Sequence, residues 1–266
     1  MRGSGIQGRF ARLGAVLLLL APVGCFGGDD VAVEERLFAG HRTLVVRTGG
    51  APAEARLPMI VALHWPSASP EEIVEDFAGV PVEARILLPQ GNYRRPGGWS
   101  WFPEDHAWDE PDQVRAEVFR ATEALADWIE AARREFPTYG KPIVTGISYG
   151  GDLAYLVAVR RPESVRAAYP VAARFRADWM PPVRNCTELC PWIVAFQGDD
   201  DWVVGAHAAR ESAARLRALG YPVELRTYRG AGHEFSAAMR RDFEREIELR
   251  LGNVSAFAPS GAAGSG

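Results

Sequence analysis

A serine, an aspartate and a histidine, each behind a short apolar run, carry the chemistry this chain can offer. Ser148 lies in Lys141-Pro-Ile-Val-Thr-Gly146-Ile-Ser148-Tyr-Gly150-Gly, which is G-x-S-x-G between an apolar strand and a helix-forming stretch. A strand–turn–helix bend of this kind lifts the serine hydroxyl clear of a sheet, and small flanking residues let strand and helix approach. Asp201 follows in Gln197-Gly-Asp-Asp-Asp201-Trp-Val-Val204, and His233 in Arg229-Gly-Ala-Gly-His233-Glu. A serine hydroxyl is a poor nucleophile at neutral pH, so it needs an imidazole to take its proton. The imidazole in turn needs a carboxylate to hold its tautomer and stabilise its charged form. The chemistry implied is acyl transfer from an ester to Ser148 and then to water. Three adjacent aspartates compete for the acid. The spacing Gly-Asp-x-Asp-x-Val-Val favours Asp201 and leaves Asp199 to brace the loop.

These residues must be positioned by a sheet. Pro58 to His64 and Pro191 to Phe196 are continuously apolar, as strands buried on both faces are, and Pro222 to Tyr228 alternates. Further strands are expected at 42–47, 84–88, 142–147 and 166–172. Helices are expected from Ser69-Pro70, over 112–136 with Val114, Val118, Leu125, Trp128, Ile129 and Ala132 inward, and over 150–160, 205–219 and 234–251. Strands alternating with helices predict an α/β fold, a mainly parallel sheet covered on both faces with no large cap domain. Each candidate residue then stands just after a strand, where such sheets present catalytic groups.

The 266 residues suffice for one such domain, and a net charge of −4 argues against a nucleic-acid partner. Arg2, Arg9 and Arg12 precede an apolar run, Leu13 to Gly24, too short to span a bilayer comfortably. It reads as an export signal over 1–24, and Cys25 at its end as the lipidated residue of a bacterial lipoprotein, with ordinary secretion as the alternative. Membrane contact would then come only through that anchor. Residues 25–40 read as a linker, 41–252 as the catalytic domain and 253–266 as a disordered tail. In an oxidising compartment Cys186 and Cys190 are expected to form a local disulfide, and no pattern of metal ligands accompanies them. The interval 89–111 holds Trp99, Trp101, Phe102, His106 and Trp108 among turn residues, and reads as a loop lining the substrate pocket. His41 and His207 have no partner motif and read as surface residues.

Taken together, Ile60-Val-Ala-Leu-His64, Leu88-Pro-Gln-Gly91 with Gly98-Trp-Ser-Trp-Phe102, the serine elbow, and the Asp201 and His233 motifs resemble the phospholipase/carboxylesterase family of α/β-hydrolases, which includes acyl-protein thioesterases. The resemblance covers roughly residues 57–250. It implies nucleophile Ser148, acid Asp201 and base His233, no metal or organic cofactor, and a small-molecule ester as substrate. It also implies an oxyanion hole made by the N–H of Tyr149 and a donor after the strand that ends near His64. Two positions depart from that family. Tyr149 stands where it carries glutamine, and His64-Trp65-Pro66 stands where it reads His-Gly-x. Proline has no N–H, so the first oxyanion donor falls to Trp65 or Ser67. His64, Trp99, Trp101 and Phe102 are the candidate substrate-binding residues, with His64 ordering the corner by hydrogen bonding. A polyester depolymerase or feruloyl-esterase-like enzyme shares this triad order. The altered corner also admits a catalytically silent hydrolase fold used for binding.

Overall fold

Continuous apolar runs become the centre of one sheet. The computed structural model describes residues 31–103, 110–187 and 189–255. Along the chain come β1 (Ala32–Phe38), β2 (His41–Arg47), β3 (Met59–Leu63), the short α1 (Val74–Phe77), β4 (Arg85–Pro89), β5 (Tyr93–Arg95) and β6 (Gly98–Ser100). There follow α2 (Pro111–Glu135), β7 (Ile143–Ile147), α3 (Tyr149–Arg160), β8 (Ala167–Val171), β9 (Trp192–Gly198), α4 (Ala206–Ala218), β10 (Val223–Tyr228) and α5 (Ala237–Ser255). The main sheet has strand order β1-β2-β4-β3-β7-β8-β9-β10. It is parallel from β4 to β10, and β2 runs antiparallel to both β1 and β4. This is the α/β-hydrolase architecture.

Side-chain alternation along β3 divides the core into two layers. Met59, Val61 and Leu63 pack on one side, with Val114 of α2, Leu153 of α3 and Leu216 of α4. Ile60 and Ala62 pack on the other, with Phe77 of α1 and Phe243 of α5. Every residue of β3, β4, β7 and β8 is buried, as expected where helices cover both faces. All the parallel strands therefore end on one rim, and the rim carries the loops that hold Ser148, Asp201 and His233.

The structure corrects several expectations. Residues 32–38 are a strand rather than part of a linker, paired to β2 with Phe38 opposite His41. The connecting pair, Ala39 (φ 45°) and Gly40 (φ 84°), makes a two-residue turn with both residues left-handed. That geometry suits the twist of a hairpin, but alanine in the first position gives little sequence signal for it. Within the interval expected as a loop, β5 and β6 form a small hairpin, stitched to the segment after β3 by Ser67 N–H donating to Trp99 O (2.8 Å) and Trp99 N–H donating to Ala68 O (2.9 Å). The last helix starts at Ala237, three residues later than expected, with Met239 N–H donating to Ser236 Oγ at 3.4 Å, so His233 stands in the loop before it. It runs to Ser255, beyond the expected domain end at 252. Cys25, His106, Trp108 and residues 256–266 lie outside the described residues.

Candidate active site

The serine elbow is built by close backbone approach. Ser148 has φ 55° and ψ −117°, a conformation that L residues rarely adopt and that costs on the order of 1–3 kcal/mol. Three glycines allow it. A methyl group at Gly146 would collide with the Gly150 backbone, and one at Gly150 with the Leu63 carbonyl. One at Gly151 would lie 2.6 Å from the Ala173 Cβ. The start of α3 is thus pressed against the ends of β3 and β8, and Ser148 N–H donates to Val171 O at 3.0 Å. Strain at Ser148 is held by its own bond to Val171 O and by the close backbone packing at the three glycines.

The carboxylate and the imidazole arrive from the loops after β9 and β10, two and three places along the sheet from β7. His233 Nε2 stands 3.0 Å from Ser148 Oγ, and His233 Nδ1 stands 2.9 Å from Asp201 Oδ2. Asp201 Oδ1 accepts the N–H groups of Val203 (2.9 Å) and Val204 (2.8 Å), and Oδ2 also accepts Gln197 Nε2 (2.8 Å). Burial pushes this carboxyl group upward, but the hydrogen bonds from Val204, His233 and Gln197 outweigh it and hold Asp201 below the ordinary aspartate range. It is therefore an anion facing the imidazole at neutral pH. Asp199 instead accepts Gly230 N–H at 2.7 Å, tying its loop to the one that carries His233, while Asp200 is exposed. A methyl group at Gly198 would strike the carbonyl oxygens of Ala231 and Gly232, so the two loops touch through backbone.

At the end of β3, His64 is completely buried. Its Nδ1 bonds Trp65 O (2.7 Å) and its Nε2 bonds Gly91 N–H (2.9 Å). Since Gly91 must donate, Nε2 accepts, and the ring is the neutral tautomer with its proton on Nδ1. Burial pushes its pKa down, which keeps it so. Trp101 Nε1–H donates to His64 O at 2.8 Å. Of the residues expected to bind substrate, His64 is fully enclosed, whereas Trp101 and Phe102, 6% and 1% exposed, line a hollow together with His41, Asn92 and Tyr93. Trp99 is partly exposed, with the Arg94 guanidinium 5.1 Å from its ring centre. Ser67 is eliminated as an oxyanion donor, because its N–H is taken by Trp99 O. The N–H of Trp65 makes no hydrogen bond to the described residues.

Two features escaped sequence reading. Gln197 also donates to Val204 O (2.8 Å), closing the turn that carries Asp201. Its signal was an amide ending an otherwise apolar strand. Asp152, in the first turn of α3, is buried beside Arg174. Its signal was a lone charge in a helix whose neighbours are apolar. Cys186 and Cys190 are bonded to each other just ahead of β9, and Cys186 packs into the core.

Comparisons with known proteins agree with this layout. No curated protein matches the sequence. Among solved structures, esterase PE8 superposes with a TM-score of 0.63 at 20% identity, covering 75% of this chain and 96% of that one. A carboxylesterase from Mesorhizobium loti gives 0.64 at 17% identity, covering 80% and 98%. Acyl-protein thioesterase 2 of Zea mays gives 0.61 at 17%, covering 79% and 99%. At such identities the likeness establishes the fold. The model of the dienelactone hydrolase family matches residues 101–251, a span that holds the serine elbow and both partner loops. The chain belongs to the dienelactone hydrolase family of α/β-hydrolases, alongside carboxylesterase- and acyl-protein-thioesterase-like folds.

Proposed function

We infer that the protein is a serine carboxylesterase acting on small or medium carboxylic esters. The observation that carries this reading is the continuous hydrogen-bonded line Ser148 Oγ–His233 Nε2 and His233 Nδ1–Asp201 Oδ2. Ser148 Oγ attacks the ester carbonyl carbon while its proton passes to His233 Nε2. The tetrahedral intermediate collapses, the C–O bond to the alcohol breaks, and His233 returns the proton to the leaving alkoxide. Water then attacks the acyl-enzyme, again giving its proton to His233, and the carboxylic acid departs with Ser148 restored. Asp201 keeps Nδ1–H pointed at itself throughout and stabilises the imidazolium.

The developing oxyanion is assigned to two backbone donors. One is Tyr149 N–H, at the start of α3, where helix N-termini favour negative charge. The other is Trp65 N–H, since Pro66 has no donor and Ser67 has spent its own on Trp99. The contact of Gly150 with Leu63 O keeps the two segments together. A fluorophosphonate probe tests the reading: labelling that vanishes in Ser148→Ala supports it, and no labelling of folded protein overturns it. Export with a lipid on Cys25 is part of the same proposal. It is supported by the arginines and apolar run of the first 24 residues, and mass measurement of the mature N-terminus tests it.

A further inference from the structure

Asp152 is out of keeping with its helix. From Tyr149 to Val159 every residue of α3 is buried, and Asp152 is the one charged side chain in that stretch. A buried carboxylate needs compensating donors, or it destabilises the fold. They come from the segment after β8. Arg174 N–H donates to Asp152 Oδ1 at 2.6 Å, and Arg174 Nε faces Oδ2 at 3.4 Å. The second is an ion-pair distance, longer than a good hydrogen bond, so this oxygen is held mainly by charge.

Arg174 leads back to the reaction centre. Its guanidinium carbon lies 5.3 Å from the centre of the Tyr149 ring, and the same ring meets Phe102 at 5.2 Å with an interplanar angle of 59°. Arginine on an aromatic face is attracted by the ring quadrupole, more strongly where water is scarce. Tyr149 follows Ser148 directly, so whatever fixes its side chain restrains the peptide group carrying its N–H. That peptide adjoins the strained φ of 55° at Ser148, a conformation that needs outside support.

Resting on the esterase reading above, we propose that Asp152 is a positioning residue for ester hydrolysis. Through Arg174 it fixes Tyr149, and with it the N–H that receives the oxyanion. The carboxylate does not touch the reacting atoms and acts only through its neighbours. Electrostatics give the device a characteristic pH response. Burial pushes the Asp152 carboxyl up to about 6, against the opposing pull of Arg174 and a weaker one from His233. The charged and titratable groups facing it are Arg174 from the loop after β8, His233 from the loop after β10, and Tyr155 along α3. Burial keeps the Tyr155 phenol neutral. Protonating Asp152 removes the charge that holds Arg174, and the hold on Tyr149 weakens with it.

Asp152→Asn separates this role from a merely structural one, because it preserves volume and an acceptor for Arg174 N–H while removing the charge. With a nitrophenyl ester as substrate, kcat is expected to fall about tenfold or more with KM within about twofold, since positioning rather than binding is lost. The acid limb of the kcat profile is expected to lose a component near pH 6. Wild-type kcat with an unchanged pH profile in that variant overturns the proposal. Should the variant not fold, Arg174→Gln decides, because it keeps the backbone donor to Asp152. A matching fall in kcat supports the role, and wild-type kcat overturns it. Failure of the wild type to turn over esters or to be labelled at Ser148 overturns the esterase reading as well. An active wild type with unaltered variants overturns the positioning role alone.

Discussion

Asp201 Oδ2 stands 2.9 Å from His233 Nδ1, and the same oxygen takes the Gln197 amide at 2.8 Å. With Val203 and Val204 on the other oxygen, the carboxylate has four donors around it. Its direction is therefore set before any substrate arrives, and the imidazole inherits that direction. Of three consecutive aspartates, only the third faces the histidine; Asp199 is committed to Gly230.

Asp201→Asn turns the acceptor beside Nδ1 into an amide that favours the wrong imidazole tautomer. Esterase turnover is expected to fall on the order of 10⁴-fold while the fold is kept. Kinetics with a nitrophenyl ester and far-UV circular dichroism check this. Turnover near the wild-type value would move the acid to another residue. The depressed pKa of Asp201 also fixes a sign: its stabilisation is present above the ordinary aspartate value and is lost only as pH falls through the lower folded one.

Gly198→Ala places a methyl group against the carbonyl oxygens of Ala231 and Gly232, neither of which can rotate away. The loop bearing His233 must move, so kcat should fall about 100-fold and stability by about 1–3 kcal/mol. Gly205→Ala is the control, since a methyl group there meets nothing within 4 Å. Equal behaviour of the two variants in activity assay and thermal melts would rule out this contact as the cause.

His64→Ala strips the acceptor from Gly91 N–H and the donor from Trp65 O in a site closed to water. A loss of about 2–4 kcal/mol is expected in urea denaturation, from the cavity and the stranded donor together. Activity per folded molecule should fall too, because the Trp65 carbonyl loses its donor and the corner that carries the Trp65 N–H loosens. Unchanged specific activity would show that the corner is held by other contacts.

Asp152→Asn should also change stability with a definite sign. The folded pKa of about 6 is above the usual aspartate value, so the folded state binds a proton that the unfolded state has released. Wild-type stability therefore falls as pH rises from about 4 through 6. The variant should be more stable than wild type at pH 7, by about 3 kcal/mol in urea denaturation, and the gap should close towards pH 4. Parallel stability curves for the two proteins across that range would contradict the buried-charge account.

Local patterns were enough to single out the three residues that the fold brings together. G-x-S-x-G, the Gly-Asp-x-Asp spacing and Gly-His-Glu are short runs whose residue types are constrained by backbone sterics within a few positions, so Ser148, Asp201 and His233 could be read directly from the chain. The central strands were equally legible, because a strand buried on both faces must be apolar at every position. Tertiary structure alone decided the surroundings. That Ser67 spends its N–H on Trp99, and so leaves the corner to Trp65, depends on a hairpin some thirty residues away. That Trp101 packs under His64 and Phe102 against Tyr149 depends on how the hairpin region is laid over those two segments. The Asp152–Arg174 pair gains its role because α3 meets the segment after β8. Hydrogen bonds and ion pairs between distant segments exist only once the sheet has set those segments side by side, and no periodicity within one segment records which partner it will meet.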